Sequence, residues 1–377
     1  MTVKLFNVAN EPEMFKALVD VWESGAIAAG EAVGKFEQRI EEYVDRPYAV
    51  STSDMSSAIR MALRIIGVES GDEVIVSPYT CMASTSPLAE LGVKVRWLDY
   101  ADVGIGVDYS ELERTISPRT RAVMVYHVAG YPDPSTQKIR ELCDRYGVTL
   151  IEDCNNALGA SYPSGHRVGG VGHYSIFSFY PNRQISMPDG GVLFCPDSST
   201  YDRAQSLRKY GINPKSFRAK NGEINPMSDI AEIGWSCSMS NLSAAVGLSQ
   251  FEQLDYKVAA SQRNASLYER LLKDEAGITQ IFASHTGNSV HWVYLVFVLG
   301  GQRDFLLEAL KSKGVNASIL HYRNDRYSCF KGCSTGGLEN TSRIQREILA
   351  LPCGWWLKEG DVKTVVAVIE SFFSSNA

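Results

Sequence analysis

The first half of the chain alternates short apolar runs with stretches in which apolar residues recur every three or four positions. The short runs are rich in Val and Ile, which fit a buried pleated surface, and they predict strands at 72–77, 93–99, 121–128 and 148–153. The longer stretches have the period of an amphipathic helix and predict helices at 12–26, 33–45, 56–67 and 82–92. This alternation predicts a mostly parallel sheet with helices on both faces.

The middle of the chain begins with two more apolar runs. They predict strands at 175–180 and 190–196, separated by the polar segment NRQISMPD. Helical spacing then returns at 198–209 and 240–273. The polar residues 212–228 contain Pro and Gly, and they predict a long loop.

The tail, from about residue 256, has the pattern of a smaller α+β unit. It predicts a strand at 291–299, a helix near 303–313, a strand near 315–320 and two final helices. We therefore predict two domains. A large α/β domain, which includes an N-terminal helical segment, spans 1–255, and a small C-terminal α+β domain spans 256–377.

Composition narrows the class of protein. The 377 residues carry a formal net charge of −6, with 45% hydrophobic and 21% charged residues, which is ordinary globular composition and excludes a collagen-like, disordered or disulfide-scaffold protein. A mildly acidic chain lacks the basic surface of a nucleic-acid binder. No apolar run is long enough to cross a membrane, and the first residues, MTVKLFNVANEPEMF, lack an apolar signal core. We expect a cytoplasmic protein with no membrane or nucleic-acid partner.

The eight cysteines are scattered along the chain. Cys329 and Cys333 form the only close pair, and no cluster of His and Cys completes a zinc site. Scattered cysteines in a long chain are typical of buried, reduced thiols in a cytosolic protein. We therefore predict no disulfide framework and no metal centre.

Candidate site residues follow the predicted strands, because ligands of open α/β sheets bind beyond the carboxyl ends of the strands. The positions that close each strand carry several groups capable of chemistry. They are residues 53–57 and 79–82, His127, residues 153–156, Ser178 and Arg183.

The segments at these positions occur in a recognisable order. They include GDEVIVSPYT, SPRTRAVMVYHVAGYP, GVTLIEDCNNALGA, GHRVGGVGHYSIFSFYP, MSNLSAAVGLSQFEQLD and GVNASILHY. In this order the chain resembles the DegT/DnrJ/EryC1/StrS family over nearly its whole length. The resemblance implies a fold-type-I enzyme dependent on pyridoxal phosphate (PLP), of the kind that aminates keto sugars carried on nucleotides, and it implies a homodimer.

The resemblance assigns parts of a cofactor site. Asp153 aligns with the aspartate that keeps the ring nitrogen of PLP protonated, which gives the ring its capacity as an electron sink. Ser56 and Ser178 align with residues that contact the cofactor phosphate, and Asn156 aligns with a glutamine near a cofactor oxygen. From the residues alone, a structural interpretation stays open. Asp153 would then be a strand-end or capping aspartate, and both serines would be ordinary helix caps.

The resemblance also reveals a departure at the Schiff-base lysine. The family segment SFYPTK reads SFYPNR here, so Arg183 falls on the lysine position, and the chain has no lysine between Lys138 and Lys209. A deprotonated lysine amine attacks the cofactor aldehyde and later moves the substrate proton. A guanidinium stays charged and does neither. One branch of the family, the sugar 3-dehydratases, has a histidine there and binds pyridoxamine phosphate (PMP) without a covalent link.

Three further positions depart from the family pattern. The aromatic residue that stacks on the cofactor is replaced by Cys81, and a glycine of SSGTAAL, which reads SDMSSAI here, by Met55. The asparagine that a neighbouring subunit normally lends to the phosphate is replaced by Ser236. We therefore expect PLP or PMP to bind without a covalent link, if either binds, and a site with no cofactor at all remains open.

Four other residues have a functional and a structural interpretation. His127 aligns with a family histidine near the cofactor face, and His321 and Tyr322 with a pair near the substrate entrance. His173 stands where the family usually has an acidic residue, so it is either a replacement general base or a structural histidine at a loop–strand junction.

These observations leave three hypotheses. The first is a divergent enzyme that retains the substrate cleft for a nucleotide sugar or amino sugar but has lost the lysine chemistry. The second is a catalytically silent binding or regulatory member of the family. The third is a conventional keto-sugar aminotransferase, which requires an amine that the sequence does not supply at this position.

Overall fold

The chain folds around two sheets. A computed structural model describes residues 2–102, 104–281 and 288–376. The strands in the described residues are β1 Ala49–Thr52, β2 Glu73–Val76, β3 Lys94–Trp97, β4 Thr120–Tyr126, β5 Thr149–Asp153, β6 Tyr174–Ser178, β7 Gly191–Phe194, β8 Ile278–Gln280, β9 Tyr294–Val298, β10 Ser334–Thr335 and β11 Ile348–Leu351.

Twelve α-helices surround these sheets within the same residues. They are α1 Pro12–Ser24, α2 Glu31–Val44, α3 Met55–Ile66, α4 Met82–Glu90, α5 Tyr109–Thr115, α6 Thr136–Tyr146, α7 Ser198–Leu207, α8 Asn241–Leu248, α9 Phe251–Leu271, α10 Arg303–Ser312, α11 Glu339–Glu347 and α12 Glu359–Asn376.

The large sheet has eight strands in the order β1-β7-β6-β5-β4-β2-β3-β10. Neighbouring strands from β6 to β10 in this order are parallel, whereas β7 runs antiparallel to both β6 and β1. The predicted mostly parallel α/β sheet is confirmed. Separate apolar cores fill its two faces, one around α3 and α4 and one around α2, α8 and α9.

The small sheet has the antiparallel order β11-β9-β8 and packs with α9, α10 and α12 around a third apolar core. The smaller α+β unit is therefore confirmed. Val3 also belongs to this core: its N–H donates to Gly314 O, and its carbonyl accepts from the N–H of Asn316. The predicted domain boundary at residue 255 falls inside α9, and the division itself remains a prediction.

Two of the predicted elements differ in the structure. The predicted helical region 240–273 is two helices, because the buried Gln250 turns its side chain onto Ser186 and Val246 between them. The predicted strand near 315–320 consists of two isolated bridges, from Val315 to Val3 and from Ser318 to Ala350. Among the described residues, no helix has both the length and the apolarity needed to cross a membrane.

Candidate cofactor and ligand site

The carboxyl ends of β4, β5 and β6 bring several predicted site residues to one edge of the large sheet. Asp153 is the last residue of β5 and is paired in register with Tyr126 on β4 and Ile176 on β6. Ser178 ends β6, and His127 follows β4 directly. Parallel strands therefore assemble at this edge groups that are far apart in sequence.

Asp153 is buried at this edge and accepts three hydrogen bonds from protein donors. Ser84 Oγ on α4 donates to Asp153 Oδ2 at 2.5 Å. Asp153 Oδ1 accepts the Asn155 side-chain amide at 3.0 Å and the Asn155 N–H at 3.2 Å. Burial raises the pKa of Asp153, and these hydrogen bonds act against that rise.

Arg183 lies in the loop after β6 and is also buried. Its guanidinium carbon is 4.9 Å from the ring centroid of Trp292, and its Nη atoms donate to Asn182 Oδ1 at 2.6 Å and to Asn155 Oδ1 at 3.4 Å. Because Asn155 also bonds Asp153, one asparagine links the cation to the carboxylate. Burial lowers the pKa of Arg183, but arginine remains charged at neutral pH.

A polar chain runs from Asn156 toward the small unit. Tyr126 Oη donates to Asn156 Oδ1 at 2.7 Å and lies 3.2 Å from His321 Nε2. Burial, and then the charge of Arg183, lower the pKa of His321 to about 4, so this histidine is neutral at pH 7. Within the part of the chain that the structure describes, Asn156 Nδ2 and Arg183 Nε are buried polar atoms without a hydrogen-bond partner.

His127 belongs to a buried network on the other side of β5. Its Nδ1 accepts the N–H of Asp133 at 3.0 Å, so its Nε2 carries the proton toward Glu152 Oε2 at 3.2 Å. Tyr162 Oη also donates to Glu152, at 2.5 Å. Since both ring nitrogens already have protein partners, His127 positions the strand ends in this structure.

Glu152, His127 and Cys154 offer three potential metal ligands within 4.8 Å of one another. The glutamate is saturated by other donors, however: it accepts the backbone N–H groups of Gly169, Val171 and Gly172. A carboxylate held by this many donors has no free lone pair directed at an ion. The trio is a hydrogen-bonded structural network.

The first turn of α3 reaches the same edge. Ser56 Oγ donates to the carbonyl of Ala83 at 2.9 Å, and the next residue, Ser84, bonds Asp153. Asp54 is the N-cap of α3 and accepts the N–H of Ser57 at 2.8 Å. The helix end that the resemblance assigns to the cofactor phosphate therefore already holds a carboxylate.

The remaining predicted residues lie around this edge with different exposures. Cys81 is the partly exposed N-cap residue of α4, in electrostatic contact with Arg183. Ser236 is exposed and forms an isolated bridge with Lys209. Tyr322 is 51% exposed beside His321, at the outside of the edge.

His173 is the one candidate that the structure removes from the site. It precedes β6, and its Nδ1 accepts the N–H of Leu150 near the start of β5, so it lies at the opposite edge of the sheet from Asp153. Its Nε2 is 2.9 Å from a carboxylate oxygen of Asp144. This position favours the interpretation of His173 as a structural histidine at a loop–strand junction over that of a replacement base.

Sequence reasoning missed two residues of the site and the capping role of a third, Asp54, which lies within the candidate positions 53–57. Trp292 precedes β9 and packs on Arg183 from the small unit, and no local pattern reveals such a long-range contact. Ser84 lies one turn into α4, where a serine has no distinctive signal. Asp54 had a signal, because an aspartate immediately before an amphipathic run is a typical N-cap.

A profile of the DegT/DnrJ/EryC1/StrS aminotransferase family matches residues 9–370, and the chain belongs to this family. The GDP-perosamine synthase of Caulobacter vibrioides is 28% identical over 350 residues, which cover 91% of this chain and 90% of that protein. A protein of Geobacillus stearothermophilus described as a pleiotropic regulatory protein is 26% identical over 368 residues, 96% of this chain and 95% of its own length.

Solved structures agree with this assignment. AtS13 from Actinomadura melliaura is 31% identical, with a TM-score of 0.91 and 98% of both chains covered. The sugar aminotransferase CalS13 from Micromonospora echinospora is 28% identical, with a TM-score of 0.90 over 98% of this chain and 99% of that chain. The fold predicted from the resemblance is therefore confirmed.

PLP is the cofactor expected for a chain of this family, and the residues present fit it only in part. The buried Asp153 carboxyl matches the chemistry that a pyridinium nitrogen needs. The α3 N-terminus carries a carboxylate where a phosphate would need donors, and Arg183 offers no nucleophilic amine. The site thus fits the ring-nitrogen end of the cofactor and does not fit its phosphate and aldehyde ends.

Proposed function

We propose that this chain is a divergent sugar aminotransferase-like protein that binds or acts on a nucleotide-sugar-like or amino-sugar ligand without forming an internal aldimine. The observation that carries the proposal is the buried guanidinium of Arg183 beside Asp153, at the position that the resemblance assigns to the lysine. The names of the relatives, GDP-perosamine synthase and sugar aminotransferase, support a sugar ligand. PLP or PMP, if either binds, does so non-covalently.

The residues of this edge are suited to holding an oxygen-rich ligand. Arg183 Nε and Asn156 Nδ2 are buried donors without partners among the described residues, and a carboxylate, phosphate or carbonyl oxygen would satisfy them. Trp292 restricts the guanidinium by stacking. His321 is neutral at pH 7 and its Nε2 is engaged with Tyr126 Oη, so its Nδ1 is the atom that can accept a hydrogen bond from a sugar hydroxyl.

A second candidate is a catalytically silent binding or regulatory protein. The pleiotropic regulatory protein of Geobacillus stearothermophilus supports it, because that relative matches along almost the full length of both chains. The exposed Ser236 argues against a subunit that completes a partner's site. The serine side chain is shorter than that of the asparagine which, by the resemblance, one subunit extends to its neighbour's phosphate. We propose a homodimer for either candidate.

The third candidate, a conventional aminotransferase, needs an amine at this edge. Lys257 is a buried lysine, but its Nζ is 3.0 Å from Glu11 Oε1, 3.4 Å from Gln250 Oε1 and 5.0 Å from the Trp355 ring centroid. Its ammonium group is therefore already paired with Glu11. A relative's activity therefore does not transfer to this chain without a different nucleophile.

The test combines spectroscopy with ligand binding. We expect no absorption band of a protein-bound aldimine when PLP is added to the purified chain, and no PLP adduct by mass spectrometry after borohydride reduction. We expect calorimetry to detect binding of a GDP- or UDP-linked 4-keto or 4-amino sugar to the wild-type chain. We expect Arg183→Gln to weaken the affinity for that sugar more than tenfold. Arg167→Gln is the matched control, because Arg167 is bonded to Gly159 O and stacks on Tyr43 away from this edge.

Each outcome separates the candidates. A reducible PLP adduct on the wild-type chain, or turnover of a keto sugar with glutamate, would establish the conventional enzyme and overturn the proposal. Sugar binding without any turnover would favour the silent member. Equal binding by the Arg183 and Arg167 variants would show that Arg183 does not contact the ligand.

A further inference from the structure

Asp54 places a carboxylate across the first turn of α3. Its Oδ1 accepts the Ser57 N–H at 2.8 Å, and its Oδ2 accepts Ser57 Oγ at 2.7 Å and Ser53 Oγ at 2.8 Å. Burial alone would raise the pKa of Asp54, but these hydrogen bonds outweigh it and lower the pKa, so the group is charged at neutral pH. The positive end of the helix dipole is thus already paired with an anion.

Asp54 has a cation and a second carboxylate nearby, and the charge of the cation, Arg60, helps to lower the pKa of Asp54. Asp189, in the loop before β7, is close enough that the charge of Asp54 adds to burial in raising the pKa of Asp189. A Cβ at Gly191 would lie 2.5 Å from the carbonyl oxygen of Asp54, so β7 approaches the cap closely and leaves it little room to move away.

Two contacts connect this cap to the site. Ser56, in the first turn of α3, donates to the carbonyl of Ala83, and Ser84, the residue after Ala83, donates to Asp153. The N–H of Ser53 donates to the carbonyl of Cys237, next to Ser236. The cap therefore lies at the helix end that the resemblance assigns to the cofactor phosphate, two residues before Ser56.

We infer that Asp54 closes the phosphate position of this cleft, so that the chain rejects phosphorylated B6 compounds and selects ligands with no phosphate at the α3 N-terminus. The inference rests on the proposed function in one respect, the absence of an internal aldimine that would otherwise hold the cofactor. It goes further, because it assigns the exclusion to a residue outside the lysine segment. A helix N-terminus that normally attracts phosphate through its N–H groups instead repels it.

The experiment compares two amines that differ only in the phosphate. PMP and pyridoxamine are titrated by calorimetry into the wild-type chain and into Asp54→Asn, which keeps the capping oxygen and removes the charge. We expect Asp54→Asn to bind PMP about 100-fold more tightly than the wild type, because a like charge at contact distance is removed. Pyridoxamine should bind both forms equally.

Asp197→Asn is the matched control. Asp197 caps α7 with the same geometry, accepting the Thr200 N–H at 2.8 Å, and it is exposed. We expect this variant to bind PMP as the wild type does. Asp54→Ser, which restores the serine of the family segment, provides a second charge-free variant if the asparagine form does not fold, and circular dichroism checks both.

Three results would overturn the inference. They are tight PMP binding by the wild-type chain, no gain of PMP binding in either Asp54 variant, and an equal gain for PMP and pyridoxamine. None of them bears on the aldimine, because PMP has no aldehyde. A reducible PLP adduct at this edge of the wild-type sheet would contradict the proposed function and the inference together, whereas tight PMP binding without such an adduct would contradict the inference alone.

Discussion

Asp153 at the end of β5 and Arg183 in the loop after β6 lie at the same edge of the large sheet, but they are held in different ways. Asp153 accepts three hydrogen bonds, from Ser84 on α4 and from Asn155. Arg183 relies on its neighbour Asn182, on a long bond to Asn155 and on the face of Trp292, and its Nε lacks a partner among the described residues.

The difference follows from what each residue is attached to. β5 is tied on both sides by parallel neighbours, and the residue before Asp153, Glu152, is bonded to a loop, a histidine and a tyrosine. Changing a charge there disturbs several elements. A loop residue such as Arg183 can replace another cation at less structural cost, so chemistry at the edge can change while the scaffold remains.

The largest effect is expected from removing Glu152, the carboxylate on β5 next to Asp153. Glu152→Ala leaves the N–H groups of Gly169 and Val171, the Tyr162 hydroxyl and His127 without their acceptor. We expect it to lower the free energy of unfolding by about 4 kcal/mol in urea denaturation. Glu113→Ala, which removes an exposed carboxylate paired with Arg145, should cost less than about 1 kcal/mol. A loss of that small size for Glu152→Ala would contradict the distinction.

A smaller effect is expected from protonating the same carboxylate. Although burial opposes ionisation, the hydrogen bonds and charge around Glu152, chiefly from His127, lower its pKa to about 2. A group with a lowered folded-state pKa stabilises the fold above its unfolded pKa and loses that contribution as pH falls through the folded value. We expect the free energy of unfolding to decrease by about 3 kcal/mol between about pH 5 and pH 2 through this group.

The measurement is urea denaturation across that pH range for the wild type and Glu152→Gln. The free energy of unfolding of Glu152→Gln should be lower than that of the wild type at pH 5. It should also decrease less between pH 5 and pH 2, because the titrating carboxylate is gone. Glu113→Gln should follow the wild-type slope. Parallel curves for all three would mean that Glu152 does not titrate in this window.

The smallest effect is expected from replacing Arg183, in the loop after β6. In Arg183→Gln the charge near His321 is removed while its burial remains, and burial is the larger cause of its lowered pKa. We expect the pKa of His321 to rise from about 4 but to stay below the ordinary 6.5, as followed by NMR of the histidine ring protons. Arg167→Gln should leave the His321 titration unchanged. An unchanged pKa of His321 in Arg183→Gln would show that the charge of Arg183 does not act on this histidine.

The sequence predicted the parts of the fold that repeat a local pattern. The apolar run 148–153 and its neighbours became parallel strands, and the position of Asp153 followed from the rule that ligands bind beyond strand ends. The pattern did not reveal the break at Gln250, because its cause is a buried side-chain contact with Ser186, 64 residues away. Similarly, 315–320 is apolar enough for a strand but pairs only at single points.

The candidate site was predictable in position and less so in chemistry. His173 was a candidate base because it stands where the family usually has an acidic residue, with a structural histidine as the alternative, and the five residues of β6 separate it from the edge that holds Ser178. Trp292 comes from the small unit, so its contact with Arg183 depends on tertiary packing that no spacing encodes. For Asp54 the capping signal was local and could be recognised from the sequence. That the capped helix end lies at the site became clear only from the position of α3 in the structure.

The pairing of Val3 with residues 314–316 has a mechanical consequence. The chain passes between the small unit and the large sheet at α9 and at the segment from Val3 to α1, and it does so twice more around β10, which pairs with β3 although it lies between α10 and β11. Hinge motions turn on a few connecting residues, so this number of connections opposes a rotation of the small unit. The indole of Trp292, which that unit carries, is thereby kept against the guanidinium of Arg183.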